Sequence, residues 1–411
     1  MHIAIATTEF VTETTFSGGL SNFSANLADI LRDHGHVVDV FVISNVNERI
    51  MWKNGIRVYR IKYERNKEIP TWIPTVRLRR NLLTLWCLFG MSYIINKKIK
   101  EEHQREAYDV IHFCDAGILF AYSTKSIPHV TRLSSSPCVC RAALAFGEQP
   151  FDLQKALKDN GLSDYFYNIA IRKEKNIIAP SHLIADIAWK KYRKKVTVIE
   201  SPFCTSIDLL DDKLYREYLK EKRYFLFYGT LNFLKGIQNI GRILPQLFRM
   251  YPDYYFAFLG KDLTLKWQNK ELRASELLIQ MAGEFRNRVI LIPPTSVKEQ
   301  VYDVVSKAEL IVLPSRVDNL PNTCIEAMSL GKIVVGTRGA SFEQLIQDGY
   351  NGWLAEIDNP VSLLEKIERA MGMTKEKKAL FGERARKRLE SMNPKEFYKN
   401  IINVYQSIIV K

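Results

Sequence analysis

Two carboxylates lie close together in a stretch whose pattern predicts a ligand site. Residues 310–313 form a short apolar run typical of a buried strand, and a polar loop that carries Asp318 follows it. A short helix is predicted at about residues 321–330; it contains Glu326, and Gly331 stands where a helix commonly ends. Ligands bind at the carboxyl ends of strands in open α/β sheets, and a helix N-terminus offers free N–H groups to anions. The pattern therefore predicts an anion-binding loop that includes Asp318.

A lysine and two glycines occupy positions that favour a bound phosphate. Lys235 lies at the start of a predicted helix, where its charge opposes the helix dipole unless an anion is nearby. Gly18 and Gly19 precede the first predicted helix, and glycine lets a backbone approach a phosphate closely. The fingerprint Gly-x-Gly-x-x-Gly is absent, which argues against a dinucleotide-binding enzyme.

Each of these residues also has a purely structural interpretation. Thr323 and Glu326 have the spacing of a capping box, and Asp318 is a common type of turn residue. In a structural interpretation Lys235 would be a lysine that faces solvent. Ser341 is predicted to be the N-cap of the helix that follows. The complete run at this spacing, rather than any one residue, favours a binding site.

The stretch that begins at Asp318 resembles the retaining glycosyltransferases of GT-B fold, family 4 (glycosyl transferases group 1). Their pattern is a carboxylate, seven residues, a glutamate, Ala-Met, and a glycine before a Val-Val strand. The matching residues here are Asp318, Glu326, Ala327, Met328, Gly331, Val334 and Val335. The resemblance implies an α/β fold of two Rossmann-like domains that face each other across a cleft. Residues 1–202, joined by a C-terminal helix at 394–411 that crosses back, would form the acceptor-side domain, and residues 203–393 the nucleotide-sugar-binding domain.

The resemblance also implies roles for individual residues. Asp318 would hydrogen-bond the donor sugar, Glu326 would bind the ribose hydroxyls, and Lys235 would hold the donor diphosphate. The other implied donor contacts are Gly18, Gly19, Leu20, Gly229, Thr230, Asn319, Leu320, Pro321 and Asn322. The chain departs from the family's pattern where Asp318 replaces Glu, Thr230 replaces Arg, and Ser134 replaces a His of the acceptor loop.

The implied activity is that of a hexosyltransferase that retains the configuration of the transferred sugar. The donor would be a UDP- or GDP-linked sugar, and the acceptor a hydroxyl of a glycan or lipid-linked molecule in bacterial cell-surface polysaccharide or glycoconjugate synthesis. No Asp-x-Asp motif stands out, so no metal or other cofactor is expected. Two alternatives remain open: a nucleotide-sugar epimerase of GT-B fold, which would consume donor without an acceptor, and a non-catalytic partner subunit.

The chain has a net charge of +14, and its basic residues concentrate in one segment. Residues 51–100 contain 12 Lys and Arg but 2 Asp and Glu, which gives +10 of that total. Arginines 77, 79 and 80 and lysines 97, 98 and 100 flank an apolar stretch that is too short to span a bilayer. The pattern fits a core helix with basic ends, and it equally fits a helix that docks on an anionic membrane surface. No nucleic-acid-binding motif accompanies the charge, so nucleic acid is not an expected partner.

The N-terminus and the cysteines indicate a cytoplasmic protein. Met1 is followed by an apolar stretch with no basic region before it, which predicts a first strand rather than a signal peptide. The six cysteines show no spacing typical of a metal site. The expected location is the cytoplasm, with peripheral attachment to the inner face of the plasma membrane if residues 77–100 dock there.

Overall fold

The computed structural model describes residues 1–13, 18–53, 55–63, 76–115, 118–145, 147, 149–159, 161–204 and 210–409, with only the backbone for residues 76–81 and 115. The chain forms two compact units. Unit 1 comprises Met1–Cys138, Leu157–Cys204 and Asn393–Lys411. Unit 2 comprises Val139–Ala156 and Thr205–Met392. Residues 139–156 thus pack with unit 2, although they lie within the range predicted for the first domain.

Unit 1 is built on an eight-stranded sheet. Its strands are β1 (His2–Thr7), β2 (Val37–Ser44), β3 (Glu48–Trp52), β4 (Ile56–Lys62), β5 (Val110–Asp115), β6 (His129–Leu133), β7 (Ile177–Ala179) and β8 (Thr197–Val198). The order is β3-β4-β2-β1-β5-β6-β7-β8, and every pair is parallel except β3 with β4. β1 is buried along its whole length, as the apolar N-terminal sequence predicts for a central strand.

Helices connect most of the parallel strands of this sheet along the chain. They are α1 (Gly19–Asp33), α2 (Val76–Arg105), α3 (Pro137–Ala145), α4 (Leu153–Lys158), α5 (Leu162–Lys173) and α6 (His182–Tyr192). α1 buries Phe23, Leu27 and Leu31, which recur on one helical face. Most of α3 and α4 belongs to the segment that packs with unit 2.

Unit 2 has a parallel six-stranded sheet and a short antiparallel hairpin. Its strands are β9 (Arg223–Tyr228), β10 (Tyr254–Leu259), β11 (Thr264–Trp267), β12 (Lys270–Arg273), β13 (Val289–Ile292), β14 (Leu310–Val312), β15 (Val334–Thr337) and β16 (Trp353–Ala355). The order of the large sheet is β13-β10-β9-β14-β15-β16, and β11 pairs with β12. β14 therefore lies between β9 and β15, so the residues that follow it stand at the middle of the sheet's carboxyl edge.

Most helices of unit 2 directly follow one of its strands. The helices are α7 (Ile237–Met250), α8 (Ala274–Ala282), α9 (Lys298–Lys307), α10 (Asn322–Ser329), α11 (Pro360–Met371) and α12 (Lys375–Leu389). α10 ends where the sequence predicts, because Gly331 takes a left-handed φ of +68°. The predicted α/β class, with parallel sheets in both units, is confirmed.

The last helix, α13 (Pro394–Ile409), packs on unit 1 although unit 2 precedes it in the chain. Its buried side chains Phe397, Ile401, Tyr405 and Ile408 belong to the same apolar core as β1, β2 and α1. The amphipathic tail predicted from the sequence is therefore an integral part of the first unit. Among the described residues, no helix is long and apolar enough to cross a membrane.

Candidate active site

Asp318 stands in the loop between β14 and α10, where the sequence places a ligand site. Its Oδ1 accepts a hydrogen bond from the Asn319 backbone N–H at 3.0 Å, and its Oδ2 forms an ion pair with Lys235 Nζ. The hydroxyl of Ser341 donates to the Asp318 backbone carbonyl at 2.8 Å. Ser341 occupies the N-cap position of the short 3-10 turn Phe342–Gln344, but it has a left-handed φ of +64° and makes no side-chain capping bond. The predicted position is therefore confirmed for a 3-10 turn, but the Ser341 hydroxyl binds the Asp318 loop rather than the turn.

Lys235 ends a 3-10 turn, Phe233–Lys235, that leads into α7. The Asn232 side chain caps this turn by accepting a hydrogen bond from the Lys235 N–H at 3.0 Å. Gly236 follows with a φ of +76°, and a Cβ placed there would lie 1.7 Å from the Pro314 carbonyl oxygen. A side chain at position 236 would push the turn away from the end of β14. The close approach brings Lys235 and Asp318 into contact, although 83 positions separate them in the chain.

Glu326 lies on α10, and its side chain does not cap that helix. α10 starts at Asn322 with Pro321 as its N-cap residue, and no side-chain capping bond forms. The capping-box interpretation of Thr323 and Glu326 is therefore wrong. Burial raises the pKa of Glu326 to about 7, with a smaller opposing effect from Lys298. The carboxyl group makes no hydrogen bond to any residue that the structure describes, so it has free acceptor capacity.

The other predicted donor contacts divide between the two units. Gly229 follows β9 with a φ of +132°, and a Cβ placed there would lie 4.0 Å from the methyl group of Thr323. The end of β9, with Thr230 next to it, therefore comes close to the start of α10 and residues 319–322. Gly18 immediately precedes α1 in unit 1, and Gly19 and Leu20 begin that helix. Among the described residues, no group of three or more His, Cys, Asp or Glu is arranged to hold a metal ion.

A buried ion pair that the sequence analysis missed supports the loop around Asp318. Arg316 has no exposed side-chain surface, and its Nε lies 2.9 Å from Asp358 Oδ2. Asp358 Oδ1 also accepts hydrogen bonds from the side chains of Gln238 (3.1 Å) and Asn239 (2.8 Å), which lie in the first turn of α7. The pair therefore connects the Asp318 loop to the helix that follows Lys235. The sequence does show a charged residue, Arg316, two positions before Asp318. It gives no indication of the partner, because Asp358 lies 42 positions away in the chain.

Arg316 also binds residues 139–156, the segment from the first half of the chain that packs with unit 2. Its two terminal nitrogens donate to backbone carbonyls, Nη1 to Ala143 at 3.0 Å and Nη2 to Gln149 at 2.8 Å. The Phe151 N–H donates to the Asp358 carboxylate at 2.6 Å. These bonds explain why residues 139–156 pack with unit 2.

Comparison with known proteins identifies relatives and a fold. The model of the family described as Glycosyl transferases group 1 matches residues 214–388. An uncharacterized glycosyltransferase of Methanocaldococcus jannaschii is 25% identical over 288 residues, which cover 68% of this chain and 70% of that protein. Sucrose-phosphate synthase from Thermosynechococcus elongatus is similar in structure, with a TM-score of 0.74 at 16% identity, and the match covers 100% of this chain and 99% of that one.

A second solved structure, Anabaena HepE in complex with UDP and glucose, has a TM-score of 0.67 at 16% identity. The match covers 99% of this chain and 100% of HepE. These likenesses confirm the GT-B fold predicted from the sequence.

Proposed function

We propose that this chain, whose residues 214–388 match the model of the glycosyl transferases of group 1, moves a sugar from a nucleotide-diphosphate-sugar to a hydroxyl of a glycan or lipid-linked acceptor, with retention of configuration. The contact between Lys235 and Asp318 carries the proposal, because it joins a cation and a carboxylate at the carboxyl edge of the unit 2 sheet. The donor is a UDP- or GDP-linked hexose, and the complex of HepE with UDP and glucose supports UDP. The product belongs to bacterial cell-surface polysaccharide or glycoconjugate synthesis.

The proposed chemistry depends on stabilising the leaving group. The bond between sugar C1 and the diphosphate oxygen breaks, and the acceptor oxygen bonds to C1 on the same face. The acceptor proton passes to the leaving phosphate oxygen. Lys235 exchanges its bond to Asp318 for one to the diphosphate and neutralises the developing charge. Asp318 is then free to accept hydrogen bonds from the sugar, and no step is assigned to a metal or other cofactor.

Nucleotide binding and product stereochemistry test this function. A bound nucleotide diphosphate at 100 times its dissociation constant should stabilise the protein by about 2.7 kcal/mol, measured as a thermal shift across a panel of UDP, GDP, ADP and CDP. With the matching α-linked donor and an acceptor, proton NMR of the fresh product should show an α linkage. A β linkage from an α donor would contradict retention, and donor consumption that needs no acceptor would indicate an epimerase instead.

Glu326 should make nucleotide binding depend on pH near neutrality. The raised pKa, about 7, means that the unliganded carboxyl group is protonated below pH 7 and ionised above it. If the ribose hydroxyls donate to the ionised form, the affinity should fall by about tenfold between pH 8 and pH 6. Glu326→Gln should abolish this dependence and weaken binding at pH 8 by roughly 10- to 100-fold. Calorimetry with the nucleotide diphosphate at both pH values measures both effects.

The exposed Glu383 on α12 provides a matched control. Glu383→Gln removes the same charge from unit 2 and should bind nucleotide with the wild-type affinity and the wild-type pH dependence. If Glu326→Gln also binds as the wild type does, Glu326 does not contact the ribose.

We also propose that unit 1 attaches to an anionic membrane surface through α2. The helix is not a fully buried core helix, because Trp86 is 68% exposed and Tyr93 is 55% exposed. Tyr93 belongs to a cluster of ring contacts that we call the aromatic patch: Phe89, Tyr93, Tyr122, Tyr165 and Phe166. Trp86 precedes Phe89 by three positions on α2. Tryptophan and tyrosine favour the interface between membrane and water, and lysines 97 and 100 are exposed on the same helix. Lys98 is the exception, because it pairs with Glu102 at 2.7 Å.

Sedimentation with anionic liposomes tests the attachment. Each basic residue close to such a surface contributes about 1 kcal/mol, so serine at positions 77, 79, 80, 97, 98 and 100 should remove the protein from the pellet. Replacing Trp86 and Tyr93 by serine should weaken binding at high salt as well, because apolar contact is not screened by ions. Serine at the exposed lysines 375, 377 and 387 of unit 2 serves as the control. Recovery of all variants at the wild-type level, or none of the wild type, would reject the attachment.

A further inference from the structure

Arg132 is a buried cation for which the described residues provide no anionic partner. It lies on β6 in unit 1, and the residue is 4% exposed. Its guanidinium stacks on the ring of Phe23 at 3.7 Å from the ring centroid, and Nη2 donates one hydrogen bond, to Ser201 Oγ at 2.8 Å. It forms no ion pair with a carboxylate of any described residue. Burial lowers the pKa of Arg132 to about 10, which reflects the cost of desolvating its charge.

A second unsatisfied group lies beside it on the neighbouring strand. His112 on β5 is completely buried, and its ring centroid lies 6.1 Å from that of Phe23. Its Nδ1 bonds the Tyr405 hydroxyl at 2.7 Å, while its Nε2 has no partner among the described residues. Burial lowers the pKa of His112 to about 3, so the ring is neutral. When Tyr405 donates to Nδ1, the ring proton resides on Nε2, which becomes a donor without an acceptor.

Buried polar groups in folded proteins almost always have partners, and a buried cation without a counter-ion is especially costly. Here such a cation and an unpaired ring nitrogen lie on adjacent parallel strands, where Arg132 pairs with Cys114 and His112 with Val130. Arg132 is one residue from the carboxyl end of β6, the edge where open α/β sheets bind ligands, and His112 lies in the middle of β5. The chain continues from β6 to Ser134, whose buried hydroxyl also has no partner among the described residues. Ser134 stands where the glycosyltransferases that this chain resembles often carry a histidine in the acceptor loop.

We propose that Arg132 and His112 form an anion site in unit 1 that binds a phosphate or carboxylate group of the sugar acceptor. The proposal rests on the proposed function, and it specifies a negatively charged acceptor. Lys235, the cation expected to hold the donor diphosphate, belongs to unit 2, whereas Arg132 lies two positions before Ser134, in the segment that the resemblance assigns to the acceptor. This favours the acceptor as the source of the anion, and the nucleotide measurements below test the donor, because the implied donor contacts Gly18, Gly19 and Leu20 also belong to unit 1. Arginine suits this task because its planar guanidinium can donate two parallel hydrogen bonds to either anion.

Calorimetric titration with inorganic phosphate tests the site without knowledge of the acceptor. The protein is first saturated with the nucleotide diphosphate that gives the largest thermal shift, so that the donor site is occupied. Wild type and the control Arg49→Met, which removes an arginine from β3, should bind phosphate equally. Arg132→Met should bind it at least about tenfold more weakly, with nucleotide affinity unchanged. Its urea unfolding midpoint should not fall, because the variant no longer buries a charge.

The outcomes separate the possible roles of Arg132. Equal phosphate binding by Arg132→Met and wild type, or no binding by wild type, overturns the proposal. A parallel loss of nucleotide affinity in Arg132→Met shows that the anion is the donor diphosphate and also overturns it. A lower unfolding midpoint, reproduced by Ser201→Ala with phosphate binding intact, assigns Arg132 a structural role instead. If no nucleotide binds, the proposed function fails, whereas the comparison of phosphate binding still decides whether the anion site exists.

Discussion

Lys235→Ala should lower kcat by about 10²- to 10³-fold, which corresponds to about 2.7–4 kcal/mol of transition-state stabilisation. The reason is that Lys235 is the cation placed at the carboxyl edge of the unit 2 sheet, where the proposed reaction leaves charge on the diphosphate. The free energy of unfolding should fall by less than about 1 kcal/mol, because the pair with Asp318 is partly exposed to solvent. Steady-state rates with the identified donor, compared with urea unfolding of the same samples, separate the two effects.

Lys375→Ala is the matched control, since Lys375 is an exposed lysine in the first turn of α12. It removes the same charge from unit 2 and should turn over donor at the wild-type rate. A wild-type rate for Lys235→Ala would show that other residues neutralise the diphosphate.

Asp318→Asn should raise the KM for the donor sugar while leaving affinity for the free nucleotide diphosphate nearly unchanged.

Arg316→Met should be the most destabilising of the proposed substitutions, with a loss of about 3–5 kcal/mol in unfolding free energy. It leaves the Asp358 carboxylate buried without its cation, and it removes the hydrogen bonds to the Ala143 and Gln149 carbonyls. Residues 139–156 should therefore become sensitive to proteases under conditions in which the wild type resists them. Urea unfolding followed by circular dichroism and timed proteolysis measure the two effects.

The double variant Arg316→Met with Asp358→Asn tests the cause of this loss. Because it removes both charges, it should recover part of the stability that the single substitution removes. A double variant less stable than Arg316→Met would mean that Asp358 acts mainly through its bonds to Gln238 and Asn239. A single variant within about 1 kcal/mol of the wild type would show that the pair does not support the loop.

Short-range patterns predicted the central element of unit 2 closely. The apolar run at residues 310–313 is the strand Leu310–Val312, and the helix expected at about 321–330 is Asn322–Ser329. These predictions hold because buried strands and helix ends depend on neighbouring residues. For Ser341 the same reasoning predicted the N-cap position but not the role of the side chain, because its hydroxyl binds the distant Asp318 carbonyl instead of capping the turn.

The interactions between distant residues could not be predicted in this way. Arg316 meets Asp358 across 42 positions, Arg132 meets Ser201 across 69, and Lys235 meets Asp318 across 83. No local periodicity encodes such contacts, because they depend on how strands are ordered in a sheet. The family pattern indicated Lys235 and Asp318 as two separate site residues. Only the structure shows that they are in direct contact.

The position of α13 has a consequence for synthesis on the ribosome. Phe397, Ile401 and Tyr405 belong to the core of unit 1, yet they are translated after all of unit 2. At roughly 5–20 residues per second, the ribosome needs on the order of 10–40 s to pass from residue 205 to residue 392. During that interval the nascent first unit has an uncovered apolar face and His112 without its bond to Tyr405. All residues of unit 2 are therefore synthesised before α13 completes the core of unit 1. Unit 2 can fold completely first, although most of unit 1 precedes it in the sequence.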